Sequence, residues 1–188
     1  MRTVTIGVVL ATTLLAIPVA AMGQVTGQDR QNAARECRLE RGSTVATRMA
    51  FKARYGTNAN QRNAFGKCVS RRARQEAAER REARQSAESQ CRAELQSLGR
   101  SAFEQKYRTN HNTRNAFGKC VSQKARAAKA RLDGRDRQRI EARKNAAKAC
   151  AAERADIGRA ALAMKYGTNH NRRNAFGRCV SQKARAQH

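Results

Sequence analysis

One block of sequence, Tyr-Gly-Thr-Asn-x-Asn-x-Arg-Asn-Ala-Phe-Gly-Lys-Cys-Val-Ser, occurs three times in this chain with few changes. The copies run over residues 55–70, 107–122 and 166–181, and each contains one cysteine and follows another. A repeated unit that carries its own cysteine pair is typical of a small module that needs a covalent link to stay folded. The repeat therefore predicts three like-built miniature domains rather than one large core.

Pairing within each repeat is the only scheme that gives every copy the same bond. It predicts disulfides Cys37–Cys68, Cys91–Cys120 and Cys150–Cys179. Free buried thiols are one alternative, and zinc ligation is another. Zinc is disfavoured because the chain has no Cys-x-x-Cys pair and only 3 histidines, too few to complete tetrahedral sites. We expect no metal and no other cofactor.

In each module, apolar residues recur at the spacing of one face of an α-helix. Phe65, Cys68 and Val69 fall at i, i+3 and i+4, which is one stripe of a helix, and the other two copies repeat the pattern. Gly56 and Gly167 stand where a left-handed residue would end the preceding helix. The fold class predicted is all-α, with three tandem disulfide-stapled helical-hairpin modules joined by polar helical spacers.

The spacers are rich in alanine and charge, and are predicted to be solvated helices. Gly99 is expected to interrupt a helix of the second module, and Asp133-Gly134 is expected to break the second spacer. The division predicted is a signal peptide at 1–21, a disordered lead-in at 22–31, module 1 at 32–74, a spacer at 75–90, module 2 at 91–126, a spacer at 127–149 and module 3 at 150–188.

The chain is strongly basic, with 40 Lys and Arg against 14 Asp and Glu and a net charge of +26. Such a charge attracts polyanions over long range, whereas an ordinary charge run only keeps a protein soluble. Recurring basic positions place the same cationic side on each module. The polyanion-binding candidates are Arg62, Lys67, Arg74, Arg114, Lys119, Arg126, Arg173, Arg178 and Arg185.

Asparagines recur in the turn of each block. They are Asn58, Asn60 and Asn63, Asn110, Asn112 and Asn115, and Asn169, Asn171 and Asn174. Amides bind sugars or bases because they both donate and accept hydrogen bonds. The favoured interpretation is local, since asparagine caps helices and ties turns.

No enzyme site is predicted. His111 and His170 share one position of the turn, but Ala59 replaces them in the first copy. The serine that ends each block lacks the glycine context of a nucleophile elbow. One glutamate recurs after the first cysteine of each module, and a lone carboxylate makes no acid/base pair. We expect these glutamates, Glu40, Glu94 and Glu153, to start a helix or to pair with Lys67, Lys119 and Arg178.

The N-terminus reads as a targeting segment. Arg2 precedes an uncharged run from Val4 to Ile17, Pro18 ends that run, and small residues follow. This pattern predicts cleavage after Ala21 and export to the cell envelope or the medium. An uncleaved membrane anchor is the alternative, although the run is shorter than the ~20 residues needed to cross a bilayer.

The block resembles short repeats of uncharacterised exported bacterial proteins that carry a Tyr-Gly-Thr-Asn…Asn-Ala-Phe-Gly-Lys-Cys-Val-Ser motif. The resemblance covers the three repeats and implies export and repetition, with no known activity. The function predicted is non-catalytic, multivalent binding of an anionic polymer such as nucleic acid, a teichoic-type polymer or an acidic polysaccharide. Alternatives are an envelope protein whose asparagine turns bind a neutral glycan or a protein, and a membrane-active cationic toxin. No small-molecule substrate and no membrane insertion are expected.

Overall fold

The computed structural model describes residues 24–109 and 114–187, and these residues contain five α-helices and no strand. The helices are α1 (Gly27–Arg41), α2 (Val45–Tyr55), α3 (Ala64–Tyr107), α4 (Ala116–Tyr166) and α5 (Ala175–Arg185). The all-α prediction is therefore confirmed. The predicted signal peptide lies outside the described residues, as do Asn110, His111 and Asn112.

The disordered lead-in predicted at 22–31 is wrong from Gly27 onward, because α1 begins there. Thr26 and Asp29 form a capping box, in which each side chain binds the backbone N–H of the other residue. Asp29 is buried and pairs with Arg80 of α3 at 3.0 Å. Burial raises the pKa of Asp29, but the hydrogen bonds from Arg80 and Thr26 outweigh it and lower that pKa to about 2.

The spacers are continuous with the helices on either side of them. The helical path is broken at Gly99, as predicted, and at Gly158, where φ is 75° and 83° respectively. These left-handed values suit glycine, which has no Cβ. The break predicted at Asp133-Gly134 is wrong, since α4 runs through both residues. Lys129 pairs with Asp133 one turn away, and the helix is supported there by its packing on α3.

The long helices α3 and α4 lie antiparallel. Arg72 of α3 reaches Asp136 of α4, and Glu79 further along α3 reaches Lys129 earlier on α4. Module 1 and module 3 therefore lie at one end of this helical pair, and module 2 lies at the other. On α3, Cys68 of module 1 and Cys91 of module 2 are 23 residues apart, which separates the two disulfides by about 35 Å at 1.5 Å per residue.

Alanine forms the contact face of the spacers. Buried alanines follow α3 where it packs on α1 and α4, and others follow the middle of α4. They are Ala73, Ala77, Ala83 and Ala87 on α3 and Ala142, Ala146 and Ala147 on α4. Small side chains let helix backbones approach closely. The prediction of solvated spacers is therefore wrong for this face, which is part of the core.

Each module has its own small cluster around a disulfide. The bonds join Cys37 to Cys68, Cys91 to Cys120 and Cys150 to Cys179, the pairing that the repeat predicts. In module 2, Phe103 is almost fully buried, and its ring centroid lies 4.9 Å from that of Tyr107. Leu162 takes the place of Phe103 in module 3. All six half-cystines are fully buried.

Modules 1 and 3 pack against each other. Met49 and Ala50 of α2 lie on the cluster of module 3. Gly177 of α5 faces Ala53, such that a Cβ on the glycine would lie 3.6 Å from the Cβ of Ala53. The equivalent glycines of modules 1 and 2, Gly66 and Gly118, have nothing within 4 Å of that position. Modules 1 and 3 therefore form one body, whereas no second module packs on the described part of module 2.

The alanine face is testable with two adjacent residues of α3. Ala77 is 2% exposed, whereas Ala78 is exposed to solvent. We expect Ala77→Leu to lower the free energy of unfolding by about 1–3 kcal/mol, because extra methylenes overpack the helix interface. The control Ala78→Leu should change it by less than about 0.5 kcal/mol. Urea unfolding followed by circular dichroism measures both, and equal effects would contradict the packing described.

Candidate functional site

Each module contains the same group of four interacting side chains, a glutamate, a tyrosine and two cations, here called the recurring unit. In module 2, Glu94 accepts a hydrogen bond from the Tyr107 hydroxyl at 2.9 Å and binds Lys106 and Lys124 at 2.6 and 2.8 Å. In module 3 the same positions are Glu153, Tyr166, Lys165 and Lys183. The pairing predicted with Lys67, Lys119 and Arg178 is wrong, because those cations lie on the exposed side of the last helix.

These lysines set the titration of the glutamates. The hydrogen bonds from Lys106 and then Lys124 lower the pKa of Glu94 from 4.5 to about 2. Lys165 and Lys183 lower the pKa of Glu153 in the same way. Both carboxylates are therefore ionised at neutral pH, and each is shared between two lysines and a tyrosine hydroxyl.

In module 1 the recurring unit extends into a buried network. Glu40 accepts from the Tyr55 hydroxyl at 2.9 Å and from Arg72 at 3.0 Å. Arg72 also binds Glu36 at 2.9 Å and Asp136 of α4 at 3.5 Å, so one guanidinium joins α1, α3 and α4. Burial raises the pKa of Glu36 to about 7, and it raises the pKa of Asp136 as well.

Sequence reasoning missed this network, although a signal was present. Arg72 stands four residues after Cys68, where Lys124 and Lys183 stand after their own cysteines. The recurrence marks the position as a structural cation. The partner Asp136 lies in the spacer and has no counterpart in the repeat, so the sequence pattern alone does not lead to it.

A second charged cluster lies where the two long helices cross. The carboxylates of Glu76, Glu79 and Asp133 lie within 4.8 Å of one another, a spacing that suits a cation. The Lys129 ammonium lies 2.9 Å from Glu76 and 3.1 Å from Glu79, and it also contacts Asp133. Burial lowers the pKa of Lys129, but the three carboxylates outweigh it and raise that pKa. The lysine therefore supplies the positive charge of this cluster.

The asparagines of the block hold the turn. Asn63 donates through Nδ2 to the Thr57 hydroxyl at 2.7 Å and accepts through Oδ1 from the Thr57 backbone N–H. Asn115 and Asn174 repeat both bonds with Thr109 and Thr168. The Oδ1 atoms of Asn60 and Asn171 accept from the backbone N–H two residues on. Asn58 and Asn169 contribute only backbone carbonyls to the turn.

The left-handed residues of the turn differ from those predicted. Gly56 and Gly167 have φ near −71° and −74°, and the positive values fall at Gln61 (55°) and Arg172 (51°). Glycine is needed at Gly56 for space, since a Cβ there would lie 2.5 Å from the Cβ of Gln61. The turn is thus closed by a tight approach rather than by a left-handed cap.

All nine polyanion-binding candidates are exposed. Within each module the second and third candidates are seven residues apart on one helix, as Lys67 and Arg74 are, so they share a face. His170 is also exposed, and the Ser181 hydroxyl donates to the Gly177 carbonyl at 2.9 Å. The Ser181 hydroxyl is thus tied to its own helix.

The contact between modules 1 and 3 creates a basic cleft of about 410 Å³, here called the intermodule cleft. Its polar wall contains five cations, Arg54 of α2, Arg143 and Lys144 of α4, Arg173 of the turn and Arg178 of α5. One carboxylate, that of Glu40, also lines the cleft. It lies 3.4 Å from Arg54 and 3.8 Å from Arg143 and is shared with Arg72.

Apolar side chains complete the lining of the intermodule cleft, and most of them are themselves buried. Phe51 and Ala50 of α2, Ala147 of α4 and Val180 of α5 line it. Modules 1 and 3 and the second spacer all contribute, so the cleft exists only because the chain returns along α4. Arg143 and Lys144 belong to the spacer. Arg143 stands seven residues before Cys150, as Arg84 stands before Cys91 in module 2, whereas Gln85 takes the place of Lys144 there. Of the five cations that line the cleft, only Arg173 and Arg178 are among the polyanion-binding candidates predicted from the sequence.

Comparison with known proteins gives no relative. No family model, no curated protein and no solved structure matches the chain. In addition, no helix within residues 24–109 and 114–187 has the length and apolar character required to cross a bilayer.

The recurring glutamate unit predicts a specific loss of stability in acid. Because the folded pKa of Glu94 lies below its ordinary 4.5, the ionised group stabilises the fold above pH 4.5, and this contribution is lost as the pH falls towards 2. We expect Glu94→Gln to cost about 1 kcal/mol at pH 7 and almost nothing at pH 2. Thermal unfolding at the two pH values measures this. The exposed Glu82→Gln is the control, and a pH-independent cost for Glu94→Gln would contradict the assignment.

The asparagine bonds are testable in module 3. Asn174→Ala removes two hydrogen bonds across the turn, and we expect it to lower the free energy of unfolding by about 1 kcal/mol. The matched control is Asn169→Ala, which keeps the backbone carbonyl that accepts from Arg172. Chemical unfolding of both variants decides the point. If the two substitutions cost the same, the side-chain amide of Asn174 is not what holds the turn.

Proposed function

We propose that the protein is a non-catalytic binding protein for anionic polymers, and that the exposed cations of its three modules form the binding surface. The observation that carries the proposal is the unequal placement of charge. Most carboxylates of the described residues are used in internal ion pairs, several of them buried, such as Glu40 and Asp136. The recurring arginines and lysines remain on the outside. Because the acidic residues are used in these internal pairs, few negative charges remain at the surface to interrupt the positive electrostatic potential.

Arginine suits this role. Its planar guanidinium makes paired hydrogen bonds to phosphate or carboxylate oxygens, and it stays charged at any physiological pH. Lys67 and Arg74 lie one above the other along their helix, and the other modules repeat the pair. Each module thus offers a short row of positive charge that matches a polymer carrying repeated negative charges.

The arrangement of the modules changes how multivalency works. Flexible spacers would raise affinity through effective concentration alone. Here modules 1 and 3 are packed together, and helices α3 and α4 hold the disulfide of module 2 about 35 Å from that of module 1. A polymer long enough to reach both ends gains affinity without paying for the ordering of a linker.

The disulfides indicate an oxidising compartment, in which such bonds persist. Together with the uncharged run at the N-terminus, this supports our proposal that the protein is exported through a cleaved signal peptide. Anionic polymers in that setting include extracellular nucleic acid, teichoic-type polymers and acidic polysaccharides.

The alternative, in which the asparagine turns bind a neutral glycan or a protein, receives less support. The amides of Asn63, Asn115 and Asn174 are already used within the turn. A ligand would have to compete with those bonds. By contrast, the candidate cations are all exposed, so a polymer can reach them from solvent.

Salt dependence tests the proposal. Binding that releases counterions weakens steeply as salt rises, so we expect the protein to stay on a heparin column above about 0.5 M NaCl. Replacing all nine candidate cations by Gln should lower the elution salt and flatten the plot of log affinity against log salt. The control is Asn60→Ala combined with Asn171→Ala, which leaves every charge in place. Elution near physiological salt, or loss of binding in the asparagine control alone, would refute the proposal in favour of the alternative.

A further inference from the structure

A helix of module 1 fills a groove of module 3. The groove lies between α4 and α5, and α2 of module 1 packs along it. Met49 and Ala50 of α2 pack on the cluster of module 3, and Ala53 faces Gly177 of α5. The entering helix and the receiving groove come from different positions of the repeat. The contact therefore joins two like modules head to tail.

Module 2 has the same groove with no helix in it. A space of about 550 Å³ lies between α3 and the first turns of α4, and these two helices alone supply its lining. Part of this lining stands at the positions of Phe176, Gly177, Val180 and Ser181 in module 3. The residues are Phe117, Gly118, Val121 and Ser122, which together with Glu88 of α3 are here called the module 2 groove. A Cβ on Gly118 would meet nothing within 4 Å, so the place that α2 takes in module 3 is open here.

Module 3 carries an apolar face of the kind that fills such a groove. The positions that Met49, Ala50 and Ala53 hold in module 1 are apolar in module 3 as well. They are Ala160, Ala161 and Met164, here called the docking face. All three are exposed, and Met164, at 71% exposed, is the most exposed large hydrophobic side chain of the described residues. In module 2 the outer two positions are the polar Ser101 and Gln105, so module 3 alone has an apolar face of this type that is uncovered.

The charge of the module 2 groove suits a basic helix. Glu88 stands three residues before the first cysteine of its module, where modules 1 and 3 have Ala34 and Ala147. Its carboxylate lies on the wall of the groove and is partly exposed, with Arg84 at 3.2 Å. The docking face is flanked by the exposed Arg159. Copies of a chain with a net charge of +26 repel each other, and a carboxylate at the contact offsets part of that repulsion.

We propose that the docking face of module 3 binds the module 2 groove of a second copy of this chain. The contact repeats between molecules the one that modules 1 and 3 make within a molecule. The face and the groove differ and lie at opposite ends of the helical pair, so contacts of this kind join molecules head to tail into rows. The inference goes beyond the proposed function and does not depend on polymer binding.

Two substitutions remove the two surfaces separately, and each has a matched control. Met164→Glu puts a charge on the docking face, and Val45→Glu adds the same charge at another highly exposed apolar side chain. Gly118→Gln fills the module 2 groove, and Gly66→Gln changes the equivalent glycine of module 1, which also has open space around it. All four residues are exposed, so every variant should fold, which thermal unfolding checks.

Sedimentation velocity over a range of protein concentrations, in about 0.15 M and about 1 M NaCl, measures the association. We expect the unmodified protein to associate, and to do so more tightly at the higher salt, because salt screens the repulsion between copies and leaves the apolar contact intact. Met164→Glu and Gly118→Gln should each raise the dissociation constant at least about tenfold, as the loss of a central contact does. Each control should change it by less than about twofold.

An equal mixture of the two variants is the decisive sample. The Met164→Glu chain keeps its groove and the Gly118→Gln chain keeps its docking face, so the mixture should form a complex of two molecules that grows no further. A mixture that stays monomeric would overturn the proposal, as would an unmodified protein that is monomeric at both salt concentrations. If Gly66→Gln weakens the association as much as Gly118→Gln does, the groove assigned to module 2 is wrong.

The two proposals fail separately because salt acts on them in opposite directions. Heparin binding weakens as salt rises, whereas the contact between copies strengthens. Early elution from heparin with intact association at about 1 M NaCl would refute polymer binding alone. Salt-resistant retention on heparin by a protein that is always monomeric would refute the contact between copies alone.

Discussion

Three disulfides make this architecture possible. Each closes a loop with a sequence separation of 29 or 31 residues and lies fully buried among a handful of large side chains. Closing a loop of that length stabilises a fold by about 3–4 kcal/mol in the chain-entropy model, which is comparable to the whole stability of many modules of this size. The hydrophobic residues around each bond, such as Phe103 and Tyr107, would not be sufficient alone. The packing of the remaining side chains depends on these three covalent links.

The alanine faces of α3 and α4 then convert three modules into one object. A chain of 188 residues with 40 basic side chains repels itself, and that repulsion opposes compaction. The structure offsets it by placing carboxylates where the helices meet. Glu36, Glu40 and Asp136 surround Arg72, and Glu76, Glu79 and Asp133 surround Lys129. The scarce acidic residues thus hold the interior together, and the surplus of positive charge is left at the surface.

The sequence predicted what repeats and failed on what does not. The cysteine pairing, the aromatic stripe and the glutamate that follows each first cysteine all recur, and recurrence identifies them without a structure. The sequence predicts a solvated spacer between Ser70 and Cys91 because alanine has little apolar bulk. Yet small size is what allows Ala77 and Ala87 to bring two backbones together. The intermodule cleft combines Arg54, Arg143 and Arg178, which only the antiparallel return of α4 brings together. No local pattern encodes such a contact.

The return of the chain along α4 also explains why three copies of one module are not equivalent. Module 1 covers α5 of module 3, so the glycine of the repeat contacts Ala53 there and faces open space in modules 1 and 2. One sequence unit therefore has two surroundings, an enclosed one and an open one. A concave surface between two packed modules can select a ligand by shape, whereas an open module attracts one mainly by charge. Under the proposed function, the two ends of this helical pair would therefore contact an extended anion differently, modules 1 and 3 through a concave surface and module 2 through an open cationic one.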